Sequence, residues 1–430
     1  MRKNIFTLAL VVVLALLVAV PAIGCAPEEV APPVEEKVIK VGSIIDLTGP
    51  YSTIGVPIGA GGMDFWKYLN EDLGGISGIK VDHLWTDSKG SPAFCITQYK
   101  RFKEQGALAF TVSTSTENVA IQSFYNNDKI PAIGSSTSFA AICPEGAGMY
   151  YNAYCGSMAR LLAVGLDWWY KNEWPKQGLD RPMRVGMVTW DNALGRDGAD
   201  GAKRWIDMTS GAELVQESVA GAMTMDYTTN LLVIKGKNPD IIVNSTSGGA
   251  YGLVARDAVR VGLEVPILME ATGISLGNVA LAGEGYRLVF TPCCYYSIHE
   301  DVPGVKLFKE VNMRYRKGKY WGGYDYFMGW RDHGIVLSEA IRIAMDKVGY
   351  ENLTGMAVKE GFDSIKNFDP GVGSPVTFGE YPGDRTGQDM FRIWRWDVDA
   401  GKEIIATDWF KGLSHKDLGF DESPGYGLSQ

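Results

Sequence analysis

The sequence predicts an α/β protein built from two successive units, each with a parallel sheet covered by helices on both faces. Three observations carry that expectation. From residue 38 onward, short apolar runs of strand length alternate with helical stretches, the pattern of buried parallel strands. The rhythm pauses and restarts near residue 183, and each unit opens strand–Asp–turn–Gly–helix. About 390 residues follow the N-terminal segment, more than one core usually supports.

The elements follow in order. VIKVGSII (38–45) is a β-rich run that ends in the turn Asp46-Leu47-Thr48-Gly49-Pro50. A helix is expected over Gly59 to Asp72, with Met63, Trp66, Tyr68 and Leu69 on its apolar side and Gly74-Gly75 stopping it. IKVDHLW (79–85) is the next strand, and Pro92 to Gln105 a helix with proline in its first turn. ALAFTV (107–112), a helix from Glu117 to Asn127 and the short strand IPAIG (130–134) complete the first unit. A helix near Arg160–Lys171 leads to MRVGMVTW (183–190), then helix Gly195–Thr209 and strand ELVQESV (213–219). Helix Tyr227–Lys235, strand DIIVNS (240–245), helix Tyr251–Val261, strand VPILME (265–270), helix Ser275–Ala282 and strand YRLVFT (286–291) follow. Beyond residue 292 the pattern changes to long helices over Pro303–Lys317, Tyr324–Val348 and Leu353–Phe368. Two strands, 389–396 and 403–409, close the chain around the turn Asp397-Val398-Asp399-Ala400-Gly401.

The N-terminal segment has its own chemistry. Met1-Arg2-Lys3 precedes a nearly unbroken apolar run from Ile5 to Val20, then Pro21-Ala22-Ile23-Gly24-Cys25. A positive start, a short apolar stretch and small residues before a cut are the parts of a secretory signal, here residues 1–24. A Cys directly after a small residue resembles a bacterial lipobox, which implies that Cys25 is lipidated and becomes the mature N-terminus. An uncleaved anchor is the competing reading, but the run is short against the ~20 residues a span needs. Residues 25–37, rich in Pro and Glu, read as a flexible stalk. The expected location is therefore outside the cytoplasm, tethered to the membrane by lipid.

Net charge is −9, and losing Arg2 and Lys3 with the leader makes it −11. No basic stripe is present to neutralise phosphates, which argues against nucleic acid. Six Cys include Cys25. Disulfides are permitted outside the cytoplasm, and Cys143 and Cys155, flanking a short loop, are the best pair. Cys293-Cys294 can form a strained vicinal bridge or stay reduced. The four His (His83, His299, His333, His415) lie far from any paired-Cys spacing, so no metal is expected. No P-loop or G-x-G-x-x-G appears, and no cofactor is implied. Gly273-Ile274-Ser275-Leu276-Gly277 matches a nucleophile elbow, but no His stands in a triad context, and Ser275 fits a helix cap better. Asp397 to Gly401 lacks the distal Glu of a calcium loop and reads as a hairpin turn.

IKVGSIIDLTGPYSTIG, then GGI-x-GIKV, a strand ending before Asp87 and STST after the third strand together resemble a type I periplasmic solute-binding protein. The nearest group is the branched-chain amino-acid (Leu/Ile/Val) binding lipoproteins of ABC importers. The resemblance covers residues 38 to 410. It implies two doubly wound parallel-sheet lobes joined by a three-crossover hinge, with ligand between them. The crossovers are placed near Ala153, Pro292 and residues 376–388. Lobe one is then 38–153 plus 293–376, and lobe two 154–292 plus 377–430. The implied partners are a small amino acid-like ligand, ABC permease subunits and, through the lipid, the membrane. A ligand-sensing receptor of the same fold, for amides or aromatic acids, is the alternative function.

Open parallel sheets bind ligands outside the carboxyl ends of their strands, and helix N-termini there suit a carboxylate. Two hydroxyl-rich strand ends fit that chemistry: Ser113-Thr114-Ser115-Thr116 and Ser135-Ser136-Thr137-Ser138. Ser113, Ser115, Thr116, Ser136, Thr137 and Ser138 are the candidate carboxylate cradle, with helix capping as the competing role. In lobe two, Trp190, Asp191 and Ser247 stand at strand ends, and Asp191 has capping of the next helix as its other role. Glu270 occupies the position where the resemblance implies a carboxylate facing the ligand ammonium. Trp85, Tyr324 and Tyr326 are further aromatic candidates for the pocket or for packing. Family members often carry an aromatic where this chain has Leu194, which leaves aromatic acids, amides and other amino acids open as ligands.

Overall fold

The structure is a computed structural model and describes residues 36–134, 138–142, 147–154, 156–319, 324–379 and 386–420. The signal peptide, Cys25, nearly all of the stalk, Ser136, Thr137 and the Cys143–Cys155 pair lie outside the described residues.

The first sheet contains β1 (Val38–Ile45), β2 (Lys80–Asp87), β3 (Ala109–Val112), β4 (Ala132–Gly134) and β5 (Tyr150–Tyr151), in the order β2-β1-β3-β4-β5 and all parallel. Helices α1 (Ser52–Glu71), α2 (Pro92–Glu104), α3 (Ser115–Asp128) and the short α4 (Phe139–Ile142) follow successive strands. Helix α5 (Met158–Asn172) then leads to the second sheet. There β6 (Met183–Trp190), β7 (Ala212–Ala220), β8 (Ile241–Ser245), β9 (Ile267–Leu268) and β10 (Val289–Cys293) alternate with α6 (Ala193–Met208), α7 (Thr228–Lys235), α8 (Ala250–Arg260) and α9 (Leu276–Ala282). Strands β7-β6-β8-β9-β10 lie side by side and parallel, the same winding as the first sheet.

The chain then leaves that sheet for α10 (Pro303–Arg316), α11 (Tyr324–Met328), a π-helical segment (Gly329–Val336), α12 (Leu337–Val348) and α13 (Gly355–Asp363). Helix α11 and the π-helical segment pack against α1. A last passage brings it back to β11 (Met390–Asp397), which pairs antiparallel with β10 and with β12 (Lys402–Ile405), while β13 (Phe410–Lys411) also pairs with β11. Asp397 caps the β11–β12 turn, its carboxylate accepting from Ala400 N–H at 2.9 Å, in accord with the hairpin reading.

Some elements depart from the sequence expectation. Helix α1 begins at Ser52, not Gly59. Gly55 and Pro57 look like helix breakers, yet Asp46 organises the turn before them by accepting from Gly49 N–H at 2.5 Å and Tyr51 N–H at 3.0 Å. Gly55 is required there, because a Cβ would collide with the Asp46 carbonyl. The helix expected over Tyr324–Val348 contains the π-helical turn. Close packing of its backbone on α1 needs Gly61 and Gly329, where a Cβ would strike the Tyr326 and Ile58 carbonyls. The strand expected over 403–409 ends at Ile405, and the helix expected to reach Phe368 ends at Asp363. Cys293 and Cys294 are free thiols, both buried. No helix among the described residues is long and apolar enough to cross a membrane.

The three passages between the sheets meet at one side chain. Arg331, on the π-helical segment, is fully buried. Its guanidinium donates to the Ala153 carbonyl at 2.8 Å, to the Ser374 carbonyl at 2.9 Å and to Asp332 Oδ1 at 2.7 Å. Asp332 in turn accepts from the Tyr295 hydroxyl, and the Tyr295 ring lies 4.9 Å from the guanidinium. Ala153, Tyr295 and Ser374 each belong to a different passage.

His333, two residues on, is also buried, and loss of water pushes its pKa down to about 4 from 6.5. The native state therefore binds this proton only below about pH 4, whereas the unfolded chain binds it below about 6.5. Its stabilising share is complete at neutral pH and is lost as pH falls from about 6.5 to about 4. At ~1.4 kcal/mol per unit this amounts to ~3 kcal/mol. The stability difference between wild type and His333→Gln, measured by urea unfolding, should shrink by about that much between pH 7 and pH 4. A constant difference would show that His333 is not held neutral.

Candidate functional site

Both sheets have a topological switch point, between β1 and β3 in the first and between β6 and β8 in the second. Ligands of doubly wound sheets gather at such points, outside the strand carboxyl ends. A hollow is lined by residues that follow these strands: Tyr51 after β1, Ser113 to Ser115 after β3, Leu194 after β6, Ser247 after β8, and Glu270 and Thr272 after β9. Ile54 and Ile58 of α1 add an apolar wall. The two sides stand close. A Cβ on Gly277 would come within 2.9 Å of Thr53 Cγ2, and one on Gly248 within 3.5 Å of the Pro50 carbonyl. The hollow measures about 30 Å³, space on the scale of a water molecule. The arrangement is thus a closed one, and the two sides must part to admit a larger solute.

The hydroxyl cluster after β3 divides its labour. Thr114 is the helix cap: its Oγ1 accepts from Glu117 N–H at 3.3 Å and donates to Glu117 Oε2 at 2.8 Å, a capping box closed by side chains. That leaves its neighbours for the cleft. Ser113 Oγ accepts from Asp46 N–H at 3.0 Å, tying the β3 end to the β1 turn. Ser115 Oγ accepts from Ser138 N–H at 3.2 Å. Ser138 is buried, and its own hydroxyl has no partner among the described residues. Thr116 lies in the first turn of α3, with its side chain outside the described set.

On the opposite side Glu270 is 2% exposed. Its carboxylate accepts from the Tyr251 hydroxyl at 2.9 Å, from Thr272 N–H at 3.0 Å, and from the Tyr154 and Thr272 hydroxyls. Burial raises its pKa, and the bonds from Tyr154, Thr272 N–H and Tyr251 oppose that rise. Four donors aim at one buried carboxylate, which holds it rigid. Ser247 lines the hollow beside it.

Other candidates sit elsewhere. Trp190 is buried, donates from Nε1 to the Tyr227 hydroxyl at 2.7 Å and presents its ring to Tyr51 at 6.3 Å. It backs the cleft through Tyr51 and, with Asp191, lines a separate surface depression. Asp191 is exposed and pairs with Arg196, Nε to Oδ1 at 3.1 Å. The cap of α6 is instead Asn192, whose Oδ1 accepts from Gly195 N–H at 2.9 Å. Trp85 is half exposed on β2, away from the hollow. Tyr326 donates to Asp64 at 2.5 Å, and Tyr324 packs edge-on against Tyr295 at 4.5 Å. Ser275 caps α9 by accepting from Asn278 N–H at 3.2 Å. No cluster of metal-ligating side chains occurs among the described residues.

Sequence reasoning missed Tyr51, Tyr154 and Tyr251. Isolated tyrosines in apolar runs look like packing. Only the pairing of β9 with β8 and the approach of the Tyr154 passage bring the Tyr251 and Tyr154 hydroxyls onto Glu270.

The model of the periplasmic binding protein family matches residues 38–402. The chain belongs to that family. Its fold is the type I arrangement, shared with solved structures of low sequence identity. A branched-chain amino acid ABC transporter protein from Thermus thermophilus with bound valine aligns at TM-score 0.77 and 21% identity, over 88% of this chain and 97% of that one. A fatty acid ABC transporter substrate-binding protein from Thermomonospora curvata aligns at 0.77 and 20%, over 92% and 97%. A leucine binding protein from Thermotoga maritima aligns at 0.71 and 18%, over 87% and 99%. No curated protein matches the chain.

Proposed function

We propose that this chain is the lipid-anchored solute-binding component of an ABC importer, and that it binds an amino acid or related small carboxylate between its two lobes. The lobes are those expected from the sequence, 38–153 plus 293–376 and 154–292 plus 377–430. The observation that carries the reading is the pairing of unlike chemistries across the cleft. The hydroxyl-bearing residues Ser113 and Ser115 stand at the N-terminus of α3, which suits an anion. Glu270, buried and oriented by four donors, faces them across the hollow and suits an ammonium. A zwitterion satisfies both ends at once, whereas a fatty acid would leave Glu270 without a counter-charge. No bond is made or broken. Contact with both lobes favours the closed state, which then docks on the permease.

Native mass spectrometry of protein purified without unfolding should show a small adduct bearing an amine and a carboxylate. Glu270→Gln should lose it, because leaving one partner of a buried ion pair alone costs ~3–5 kcal/mol. An adduct lacking a cationic nitrogen, or one that Glu270→Gln retains undiminished, would contradict the proposal.

The anchor rests on the leader followed by Gly24-Cys25. In a bacterial host the wild-type chain should partition with membranes and carry lipid on its first mature residue. Cys25→Ser should not be acylated. Wild-type protein cleaved elsewhere and recovered free of lipid would remove this part of the reading.

A further inference from the structure

A second hollow adjoins the cleft, and a buried acid, Asp325, is part of its lining. It measures about 230 Å³, and its lining includes Thr53, Val56 and Pro57 of α1, Ser275 and Leu276 at the start of α9, and Asp325 of α11. It shares both walls with the cleft. Thr53 is the neighbour of Ile54, and Ser275 lies three residues beyond Thr272, where Ile54 and Thr272 line the first hollow.

Asp325 is 0% exposed. Neither of its carboxylate oxygens has a hydrogen-bond partner among the described residues. Its pKa is raised well above the usual carboxylate range by burial and by the negative charge of Glu270, opposed only by its own backbone N–H. No cationic side chain contributes. Buried carboxylates are ordinarily paired or hydrogen-bonded, and Glu270, whose charge Asp325 feels, has four donors while Asp325 has none from any other described residue.

Building on the zwitterion reading of the cleft, we infer that Asp325 and the hollow around it form a second subsite, which takes the side-chain cation of a basic amino acid. The chemistry divides along the hollow. Val56, Pro57 and Leu276 give apolar walls suited to an aliphatic stem. Thr53 and Ser275 line the same hollow as Asp325 and add hydroxyl groups to its apolar lining. The α-carboxylate and α-ammonium remain with the Ser113–Ser115 end and Glu270. The ligand thereby carries two cationic nitrogens, one for each buried carboxylate, and its net positive charge offsets a site that is otherwise doubly acidic.

The competing role for Asp325 is structural, as an acid in the first turn of α11 that complements the helix dipole. The two roles predict opposite effects on the empty protein. Titration calorimetry with L-lysine and with L-leucine, on wild type and Asp325→Asn, together with the thermal midpoint of each empty protein, tests the inference. Expected are tighter binding of L-lysine than of L-leucine by wild type and a loss of at least ~100-fold for L-lysine in Asp325→Asn. L-Leucine affinity should be little changed, and the empty variant should melt no lower than wild type. Binding of L-leucine as tight as that of L-lysine, with Asp325→Asn neutral for both, overturns the subsite and leaves the cleft reading intact. A lowered midpoint with unchanged L-lysine affinity assigns Asp325 to the helix and also overturns it. Failure of both amino acids to bind wild type overturns it as well. The adduct seen by native mass spectrometry then decides the cleft reading separately.

Discussion

The fold turns on one buried guanidinium. Arg331 reaches the carbonyls of Ala153 and Ser374 and, through Asp332, the hydroxyl of Tyr295, so the three strands of chain that pass between the sheets are fixed to one point. A charge this deep is stable only while its partners stay in place, since breaking such a set costs ~3–5 kcal/mol. The passages are therefore held together as a unit, and relative motion of the sheets is confined to bending around that unit. From the other side Arg160, 1% exposed, binds the Leu413 and Gln388 carbonyls, Thr386 and Asp389. It fixes the last passage to α5. The two arginines define where the molecule can flex and keep the strand ends facing each other.

The site depends on that geometry. Each switch point alone offers a few hydroxyls and a helix N-terminus, which is common among doubly wound sheets. Brought face to face, they set hydroxyls at a helix N-terminus opposite a buried, four-donor carboxylate. Gly277 faces Thr53, where a Cβ would press to within 2.9 Å of Cγ2, and Gly248 takes a φ of +58°, which favours glycine. Asp46 links the site to its frame: it shapes the turn that opens α1 and, through its N–H to Ser113, sets the position of the first hydroxyl in the cleft.

Much of the fold was legible in the sequence because buried parallel strands leave short, β-branched apolar runs bounded by turn residues. The β1, β6 and β8 runs, and the Asp that follows β1 and β6, stood out for that reason. The start of α1 was not legible, since Gly55 and Pro57 argue against helix until the Asp46 turn and the close approach of backbone are known. At the site, Ser113, Ser115, Ser247 and Glu270 were accessible because they sit at strand ends, where chemistry collects. Thr114 could not be told from its neighbours, as only the hydrogen bond to Glu117 separates cap from lining. Tyr154 and Asp325 lie in passages and helices remote in sequence from Glu270, and no local pattern connects residues brought together by tertiary folding.

In the proposed function the two sides close on a solute about the point fixed by Arg331. Small-angle X-ray scattering on the purified protein, stripped of any bound solute and then titrated with whichever of L-lysine and L-leucine calorimetry shows to bind, measures this directly. The radius of gyration is expected to fall on saturation. Saturable heat of binding with no change in the radius of gyration would contradict it.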